Sequence, residues 1–519
     1  MTKYDLATLQ RLSFRRQFFL GPRFVDRFPS WQRVALDANW SVTAHPDLDV
    51  CRVGKQDKWI ALMGYVLDPV HPFADNLEIL TGLLDSLHAC EDLLAQTARF
   101  GGRWVLVAHD ANRTIAFADA AGLRRVVYGP GSEPRQTWCA SQAGPLAELL
   151  VLPLDPEAVD FARPDDPQAG NHLVWLPGDR TLYADVRLLL PNHYLDLATG
   201  RPARYWPSAD LPVVPLREAI AAASDTLRNL LESAGHRFDL MLALTAGWDS
   251  RLTLAAARHR AQNMFLYTTV LPHMAADSLD VAVPSRLLPR LGLKHHILDC
   301  GDSTDEAFAA VFRRNVSLAY DSHCPMAQAL YDQTPSEGVC ITGDVGEIAK
   351  GVYRMNRSGN GDVTAHELAV LARLPTHRFV LKAFDEWLSG ARAHTCNVSL
   401  LDLFCWEQEA GRLQAKIQAE CDIARESFAP MNCRSLLSTM LSVPDRYRQE
   451  PTLDLFRGIM ERTWPDVLVE PINGRPQVGT EAVVRRMLEH LGILRLVPRP
   501  IKGMTKKLIR GVNARWGGH

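Results

Sequence analysis

Between residues 59 and 206, short apolar or alternating runs are separated by turn-forming residues. Runs of this kind are typical of β-strands, and the segments DANR (110–113) and PGD (177–179) have the composition of hairpin loops. Helical spacing is limited here to two segments, near 76–86 and 91–100. This mixture favours a layered α+β architecture for the first part of the chain.

After residue 207 the pattern changes to helices that alternate with short buried strands. A helix is predicted over 216–235, where Gly235 ends the helical spacing. The alternation predicts a parallel, doubly wound sheet, whose ligands bind at the carboxyl ends of the strands. From about residue 364 the chain is predicted to be mostly helical. The predicted strands are 239–244, 264–270, 295–300 and 338–342, with helices over 251–261 and 280–291 between them.

Composition narrows the class of protein. Apolar residues make up 47% of the 519 residues, charged residues make up 22%, and the net charge is −2. This balance is typical of soluble globular proteins and gives no electrostatic case for binding nucleic acid or an acidic membrane. No apolar run reaches the roughly 18 residues of a membrane span, the first residues lack a secretory signal, and the ten cysteines include no C-x-x-C pair. We therefore predict a cytoplasmic protein with no nucleic-acid or membrane partner.

The segment MLALTAGWDS (241–250) ends a predicted strand in a turn of small residues and then begins a helix. Because Thr245, Ala246 and Gly247 are small, their backbone N–H groups can approach a bound anion, and the helix directs its positive end to the same point. Ser250 can donate to a phosphate oxygen, and the carboxylate of Asp249 can bind Mg²⁺. A plain turn capped by one of these two side chains is the alternative that the residues alone leave open.

Two segments resemble the ATP-pyrophosphatase superfamily, and in particular the asparagine synthetase family. TAGWDS (245–250) is similar to the S-G-G-x-D-S pyrophosphate loop, with Thr245 and Ala246 in the places of the serine and the first glycine. TGDVGEIAKGVY (342–353) is similar to S-G-[DE]-G-x-D-E-L-x-x-G-Y, and Glu347 takes the place of the magnesium-binding aspartate. In this second segment Gly343, Asp344, Gly351 and Tyr353 match the pattern, whereas Val345 and Ile348 depart from it.

The first half resembles the glutaminase domain of the same family. Asp119 and Gly122 match its D-x-x-G turn, and residues 188–206 resemble its L-x-P-G-H-x-L…YW exit. The family uses a cysteine as its first mature residue, whereas Thr2 follows Met1 here. Its glutamine-binding segments are not recognisable either. The resemblance therefore implies a degenerate domain that does not hydrolyse glutamine.

The fold implied by the resemblance is α/β plus α+β. A layered β domain of the N-terminal-nucleophile (Ntn) hydrolase type is predicted over 1–208. A PP-loop synthetase domain, with a doubly wound parallel sheet and a helical extension, is predicted over 209–519. The resemblance says nothing firm about assembly, and a homodimer stays open.

The resemblance also implies a set of site residues. The cofactors would be ATP and Mg²⁺, with Asp249 and Glu347 as metal ligands. Asp344 would take a proton from the attacking amine, and Lys502, in a basic C-terminal stretch, would stabilise an acyl-adenylate. The residues expected to bind ATP and pyrophosphate are Thr245, Ala246, Gly247, Asp249, Ser250, Arg251 and Gly343.

These residues imply an ATP-dependent ligase that adenylates a small-molecule or peptide carboxylate and transfers it to an amine. Relatives that have also lost the glutaminase, the β-lactam synthetases and lasso-peptide cyclases, use an amine within the substrate. We therefore expect amide formation in a specialised biosynthetic pathway without glutamine hydrolysis. Two alternatives stay open: amidation with free ammonia, and a non-catalytic descendant that binds a nucleotide. An RNA-thiolating enzyme is disfavoured, because no basic RNA-binding face is visible.

Overall fold

The computed structural model describes residues 3–131, 136–163, 175–272, 274–275, 277–355 and 362–474. Among the described residues of 18–204, twelve strands form two antiparallel sheets. In chain order they are β1 (Phe18–Gly21), β2 (Gln32–Ala35), β3 (Ser41–Ala44), β4 (Val50–Lys55), β5 (Lys58–Leu67), β6 (Gly101–Asp110), β7 (Thr114–Ala118), β8 (Val127–Pro130), β9 (Thr137–Ala140), β10 (Arg187–Leu188), β11 (His193–Asp196) and β12 (Arg201–Arg204). The first sheet has the order β10-β8-β9-β1-β3-β2, and the second has the order β12-β11-β7-β6-β5-β4.

The two sheets pack face to face with helices outside them. Apolar side chains of both sheets share one buried cluster, for example Val42 of the first sheet and Met63 of the second. The helices of this part are α1 (Leu6–Leu12), α2 (Asn76–Asp85), α3 (Cys90–Gln96), α4 (Ala143–Leu150) and α5 (Pro156–Phe161). Helices α2 and α3 cover the outer face of the second sheet, and α4 covers that of the first. We call this helix–sheet–sheet–helix body the sandwich. Its layers agree with the layered β architecture expected from the sequence.

The second part of the chain is built on a five-stranded parallel sheet of order β15-β14-β13-β16-β17. Its strands are β13 (Leu240–Ala243), β14 (Phe265–Val270), β15 (His296–Asp299), β16 (Val339–Ile341) and β17 (Glu426–Phe428). The helices up to β16 are α6 (Leu216–Arg237), α7 (Trp248–Ala256), α8 (Leu279–Arg290), α9 (Glu306–Asn315) and α10 (Cys324–Gln333). After β16 follow α11 (Gly346–Lys350), α12 (Val352–Met355), α13 (Ala365–Leu371), α14 (Arg378–Arg392), α15 (Leu400–Phe404), α16 (Ala415–Cys421), α17 (Arg434–Leu441) and α18 (Asp454–Thr463). A π-helical segment, Cys405–Gln414, joins α15 to α16.

Contacts between the two parts are extensive. Tyr65 and Leu67 of the sandwich share the largest apolar cluster with Leu227 of α6. Helix α1 packs against the parallel-sheet part of the chain, since its Leu12 lies among the buried aromatic residues of α9. The domain boundary at residue 208 therefore stays a prediction. No helix in the described ranges is both long enough and apolar enough to cross a membrane.

The sheets agree with the sequence, whereas some of the short elements differ from it. The antiparallel and parallel sheets are confirmed, and the segment 110–113 does join two hairpin strands, β6 and β7. The second predicted hairpin, at 177–179, is not confirmed: the segment forms a turn in which the N–H of Arg180 donates to the carbonyl oxygen of Pro177, and among the described residues it joins no two paired strands. Strand β17 was not predicted, since only three residues form it within a mostly helical region.

Candidate functional site

The candidate site lies where the strand order of the parallel sheet reverses. From β13 the chain builds outward through β14 and β15, and it then returns to place β16 on the other side of β13. The loops that follow β13 and β16 therefore leave the same sheet edge side by side. Crevices at such a point are the usual ligand sites of parallel α/β sheets. We call the two loops the first loop (244–247) and the second loop (342–345).

The first loop is held by its own small polar groups. The hydroxyls of Thr245 and Ser250 lie 3.1 Å apart, and the N–H of Thr245 donates to the Ser250 hydroxyl at 3.2 Å. The N–H of Ala246 donates to Asp280 at 3.0 Å. Helix α7 begins after Gly247, which caps it without a side-chain hydrogen bond. The N–H of Gly247 donates to the Thr245 hydroxyl at 3.2 Å, so the N–H groups of residues 245–247 are all hydrogen-bonded within the protein. An anion at this loop would have to displace these contacts, and the plain-turn alternative stays open.

Asp249 and Glu347 lie beside each other, joined by a lysine. The Lys350 ammonium lies 2.6 Å from Asp249 Oδ2 and 3.2 Å from Glu347 Oε1. Gln414 donates to the other oxygen of Glu347 at 3.1 Å. Asp249 Oδ1 is buried and has no hydrogen-bond partner among the described residues. One carboxylate oxygen of this acid pair is thus left without a ligand.

The electrostatics of the pair follow from burial and from this bridge. Burial raises the pKa of Asp249, and the Lys350 ammonium offsets that shift only in part. Burial by itself would lower the pKa of Lys350, but the carboxylates of Asp249 and Glu347 raise it above its ordinary value. Lys350 is therefore a firmly charged cation between two acids, and the three side chains together carry one net negative charge.

The donor set can be compared with the needs of Mg²⁺. This ion is usually held by one or two carboxylates together with substrate phosphates and water. The described residues contain no group of three or more His, Cys, Asp or Glu arranged to hold a metal ion by themselves. Asp249 and Glu347, with the unpartnered Oδ1 of Asp249, fit an ion that takes its remaining ligands from a nucleotide. Lys350 would have to give up at least one of its two contacts.

Asp344, on the second loop, is the other acid of the site. Its Oδ2 accepts hydrogen bonds from Thr342 at 2.9 Å and from Gln418 at 2.8 Å. Burial raises the pKa of Asp344, which brings the carboxyl closer to the range of a general base near neutral pH. The next residue, Val345, has a φ of 76°, a strained value for a β-branched residue, and its N–H donates to Gln414 at 2.8 Å.

The structure brings together most of the predicted site residues. These are Thr245, Ala246, Gly247, Asp249, Ser250, Gly343, Asp344 and Glu347, all on the two loops or the first turns of the helices that follow them. Gly343 is needed for the close approach, since a Cβ there would lie 2.8 Å from the Cβ of Asp249. Lys502 lies outside the described residues.

Arg251 is placed differently from its predicted role. Its side chain is fully buried, and the guanidinium donates to the carbonyl oxygens of Val467 at 2.8 Å and Glu470 at 2.9 Å. It therefore anchors the segment that follows α18 and is not part of the phosphate site. The physical reason is that those carbonyl groups, brought against α7 by the C-terminal part of the fold, both accept hydrogen bonds from its buried Nη1.

Three residues of the site were missed in the sequence. Lys350 could have been found, because it follows Glu347 by three positions on a short helix. Gln414 and Gln418, four positions apart, lie 67 and 74 residues from the acids that they contact. No local pattern connects residues over such a separation.

Comparisons with known proteins add little to this geometry. No protein-family model matches the chain, and no curated protein matches it. Two solved structures are similar over long alignments at 10% identity. One is a glutamine phosphoribosylpyrophosphate amidotransferase from B. subtilis complexed with ADP and GMP, aligned over 73% of this chain and 88% of that one with a TM-score of 0.24. The other, an allosteric regulatory enzyme of purine biosynthesis, covers 61% and 76% with a TM-score of 0.21. At such scores neither structure carries an argument about fold or function.

Proposed function

We propose that this chain is an ATP-dependent ligase of the asparagine synthetase type, which adenylates a carboxylate and transfers the acyl group to an amine. One observation carries the proposal. Asp249 and Glu347 both contact the ammonium group of Lys350, at the point where the strand order reverses. They lie beside a loop of small residues and a helix whose first turn has no side-chain cap. This is a combination of anion-binding and cation-binding groups within one crevice.

In the proposed reaction the first loop binds the β- and γ-phosphates of ATP. A substrate carboxylate oxygen attacks the α-phosphorus, and the bond from that phosphorus to the β-phosphate oxygen breaks, so that pyrophosphate leaves with the electron pair. The N–H groups at the start of α7 and the hydroxyl of Ser250 orient the leaving group. Mg²⁺ held by Asp249 and Glu347 would supply charge neutralisation there. The amine then attacks the acyl carbon, AMP leaves, and Asp344 takes the amine proton.

The nitrogen source is proposed to be an amine other than glutamine. The family's glutamine-binding segments are not recognisable in the sandwich. The sandwich would then serve as a scaffold. An amine within the substrate is the leading candidate, and free ammonia is the alternative.

A second candidate function is supported by Lys350. An ammonium group already bridges the two acids that would hold a metal ion, which is what a protein that binds nucleotide without turning it over could retain. In such a descendant Lys350 would contact the phosphates directly. Nucleotide affinity would then be independent of added Mg²⁺.

The two functions are separated by ATP–pyrophosphate exchange, measured with radiolabelled pyrophosphate against pools of amino acids, dipeptides and dicarboxylic acids. The ligase is expected to exchange with at least one pool in a Mg²⁺-dependent manner. Asp249→Asn should lower that rate by about 100-fold or more, because it removes charge stabilisation of the leaving group. Asp302→Asn, an exposed acid after β15, is the matched control and should leave the rate unchanged.

Two results would count against the proposal. Exchange that survives Asp249→Asn would reject the site. Nucleotide binding without exchange in any pool, and without a requirement for Mg²⁺, would favour the binding protein.

A further inference from the structure

The helix that contacts the candidate site has a second polar face. Gln414 and Gln418 point to the acids of the two loops. Arg412 and Lys416, each two positions earlier, lie about half a turn around the helix. Both line a cavity of about 40 Å³ between this helix and the sandwich. The cavity is separate from the proposed nucleotide site.

The walls of this interface cavity come from both parts of the chain. The sandwich contributes Arg125, Gln142 and the stretch around Thr181, and the other part contributes Arg412 and Lys416. About 10–15 Å³ is enough for one water molecule in a polar cavity, so this cavity has room for a group larger than a single water molecule. The lining here is strongly basic.

Arg412 directs an unpaired donor to this interface. The residue is only 5% exposed, and its Nε and Nη2 donate to the carbonyl oxygens of Leu176 and Arg180 at 2.8 and 2.6 Å. Its Nη1 is buried and has no partner among the described residues. Buried donors of this kind are nearly always satisfied in folded proteins, so this donor indicates a bound water molecule or a polar ligand.

Arg125 faces the same space from the sandwich. Its Nη1 donates to Gln142 at 3.2 Å, while its Nε is buried and lacks a partner within the described ranges. No carboxylate of the described residues forms a salt bridge with Arg125 or Arg412. Burial lowers the pKa of Arg412 to about 9, with a further contribution from Arg125, and burial lowers the pKa of Arg125 to about 10. Arg125 and Arg412 therefore carry like charges across the interface, and the nearby acids Glu420 and Asp179 offset these charges only in part.

Lys416, the other cation of this helix that lines the cavity, is paired with an acid. Its ammonium pairs with Glu420 and lies 3.6 Å from the ring centre of Tyr320. Glu420 is also engaged by the N–H of Tyr320 at 3.0 Å and by His323 at 2.8 Å. Glu420 is thus already shared by three donors, and it offsets the charge of Arg125 only in part.

We propose that the interface cavity binds a small oxyanion, a carboxylate or phosphate group, between Arg125 and Arg412. Guanidinium groups bind both kinds of anion through paired N–H donors. Such a ligand would satisfy the orphan donors and cancel the repulsion of two buried charges. Because one arginine comes from the sandwich and the other from the helical part, the anion would also tie the two parts together.

The test is thermal unfolding of the full chain in chloride, acetate or phosphate at equal ionic strength and pH. A specific site should raise the midpoint by several degrees in a saturable manner with phosphate or acetate, relative to chloride. A response to phosphate only would identify a phosphoryl ligand, and a response to acetate only would identify a carboxylate. Equal midpoints in all three salts would overturn the proposal.

Variants assign any such effect to the cavity. Arg125→Gln and Arg412→Gln should each lose the contribution of the cavity to the shift, and Arg33→Gln, at the surface of the sandwich, should keep the full shift. Phosphate bound at the first loop would stabilise all three variants equally, so a shift of equal size in the cavity variants and in Arg33→Gln would contradict the proposal. If Arg412→Gln fails to fold, Arg125→Gln, at a half-buried position, decides the question alone.

Discussion

Single residues decide how the acid pair of the candidate site can work. Lys350 was not predicted, yet it contacts both acids and leaves only Asp249 Oδ1 free. The closeness of Asp249 and Glu347 itself follows from the resemblance and from simple topology, because adjacent parallel strands end at one sheet edge. The partners on the distant helix, Gln414 and Gln418, could not be predicted, since only tertiary packing brings them there.

Gly346 offers a test at this scale. A Cβ on Gly346 would lie 2.1 Å from Asp249 Oδ1, so Gly346→Ala should displace that carboxylate while the backbone, which is helical there, tolerates the change. We expect the affinity for Mg²⁺-ATP, measured by calorimetry, to fall about tenfold or more, since a shift of about 1.4 kcal/mol suffices for that factor.

The matched control is Gly390→Ala in α14, where nothing lies within 4 Å of the added Cβ. It should leave nucleotide affinity unchanged and stabilise the fold by about 0.5–1 kcal/mol. Equal affinities for the two variants would show that the free Asp249 oxygen has no part in binding.

At the scale of elements, long and periodic segments were predictable and short ones were not. The helices over 216–237 and 279–290 and the strand over 265–270 agree with the apolar spacing. Strand β17 has only three residues, and no periodicity can be read from so short a run. The π-helical segment Cys405–Gln414 was equally hidden, although it is what places Gln414 against the second loop.

His45, at the end of β3, provides a pH test of one contact between elements. Its Nδ1 accepts the N–H of Asp47 at 3.0 Å, so the proton is on Nε2, which donates to Arg11 at the end of α1 at 2.9 Å. His45 is 3% exposed, and burial lowers its pKa to about 4. Because the unfolded chain binds the proton first, stability should fall as the pH drops from about 6.5 towards 4.

The expected loss from this group between pH 7.5 and 5 is about 2 kcal/mol. It is measured as the difference in the free energy of unfolding by urea at the two pH values. In His45→Gln the fall should be smaller by that amount. Identical pH dependence in the two proteins would refute the assigned protonation state.

At the scale of the whole molecule, buried charge joins the two parts of the chain. Arg103, on β6, donates to both oxygens of Asp422 at 2.5 and 2.9 Å and to Glu426 at 2.8 Å. Arg124 donates to Glu426 at 2.7 Å. These partners are about 300 residues apart in the chain, so sequence periodicity could predict each part but not their contact. The oxyanion proposed at the interface cavity would extend this ionic contact.

Arg103→Met tests the ionic contact. The variant leaves Asp422 buried without its bidentate arginine partner, and we expect a loss of about 3–5 kcal/mol in the free energy of unfolding. Arg33→Met removes an exposed ion pair of the sandwich and should cost no more than about 1 kcal/mol. Similar losses for the two variants, in denaturant titrations, would mean that the buried ion pairs of Arg103 with Asp422 and Glu426 do not hold the two parts together.

The most direct measurement is a crystal structure of the chain with Mg²⁺ and a non-hydrolysable ATP analogue at saturating concentration. We expect the β- and γ-phosphates on residues 245–250, the ion between Asp249 and Glu347, and Lys350 withdrawn from at least one of them. Phosphates bound elsewhere, or the crevice between the two loops left without nucleotide, would contradict the account.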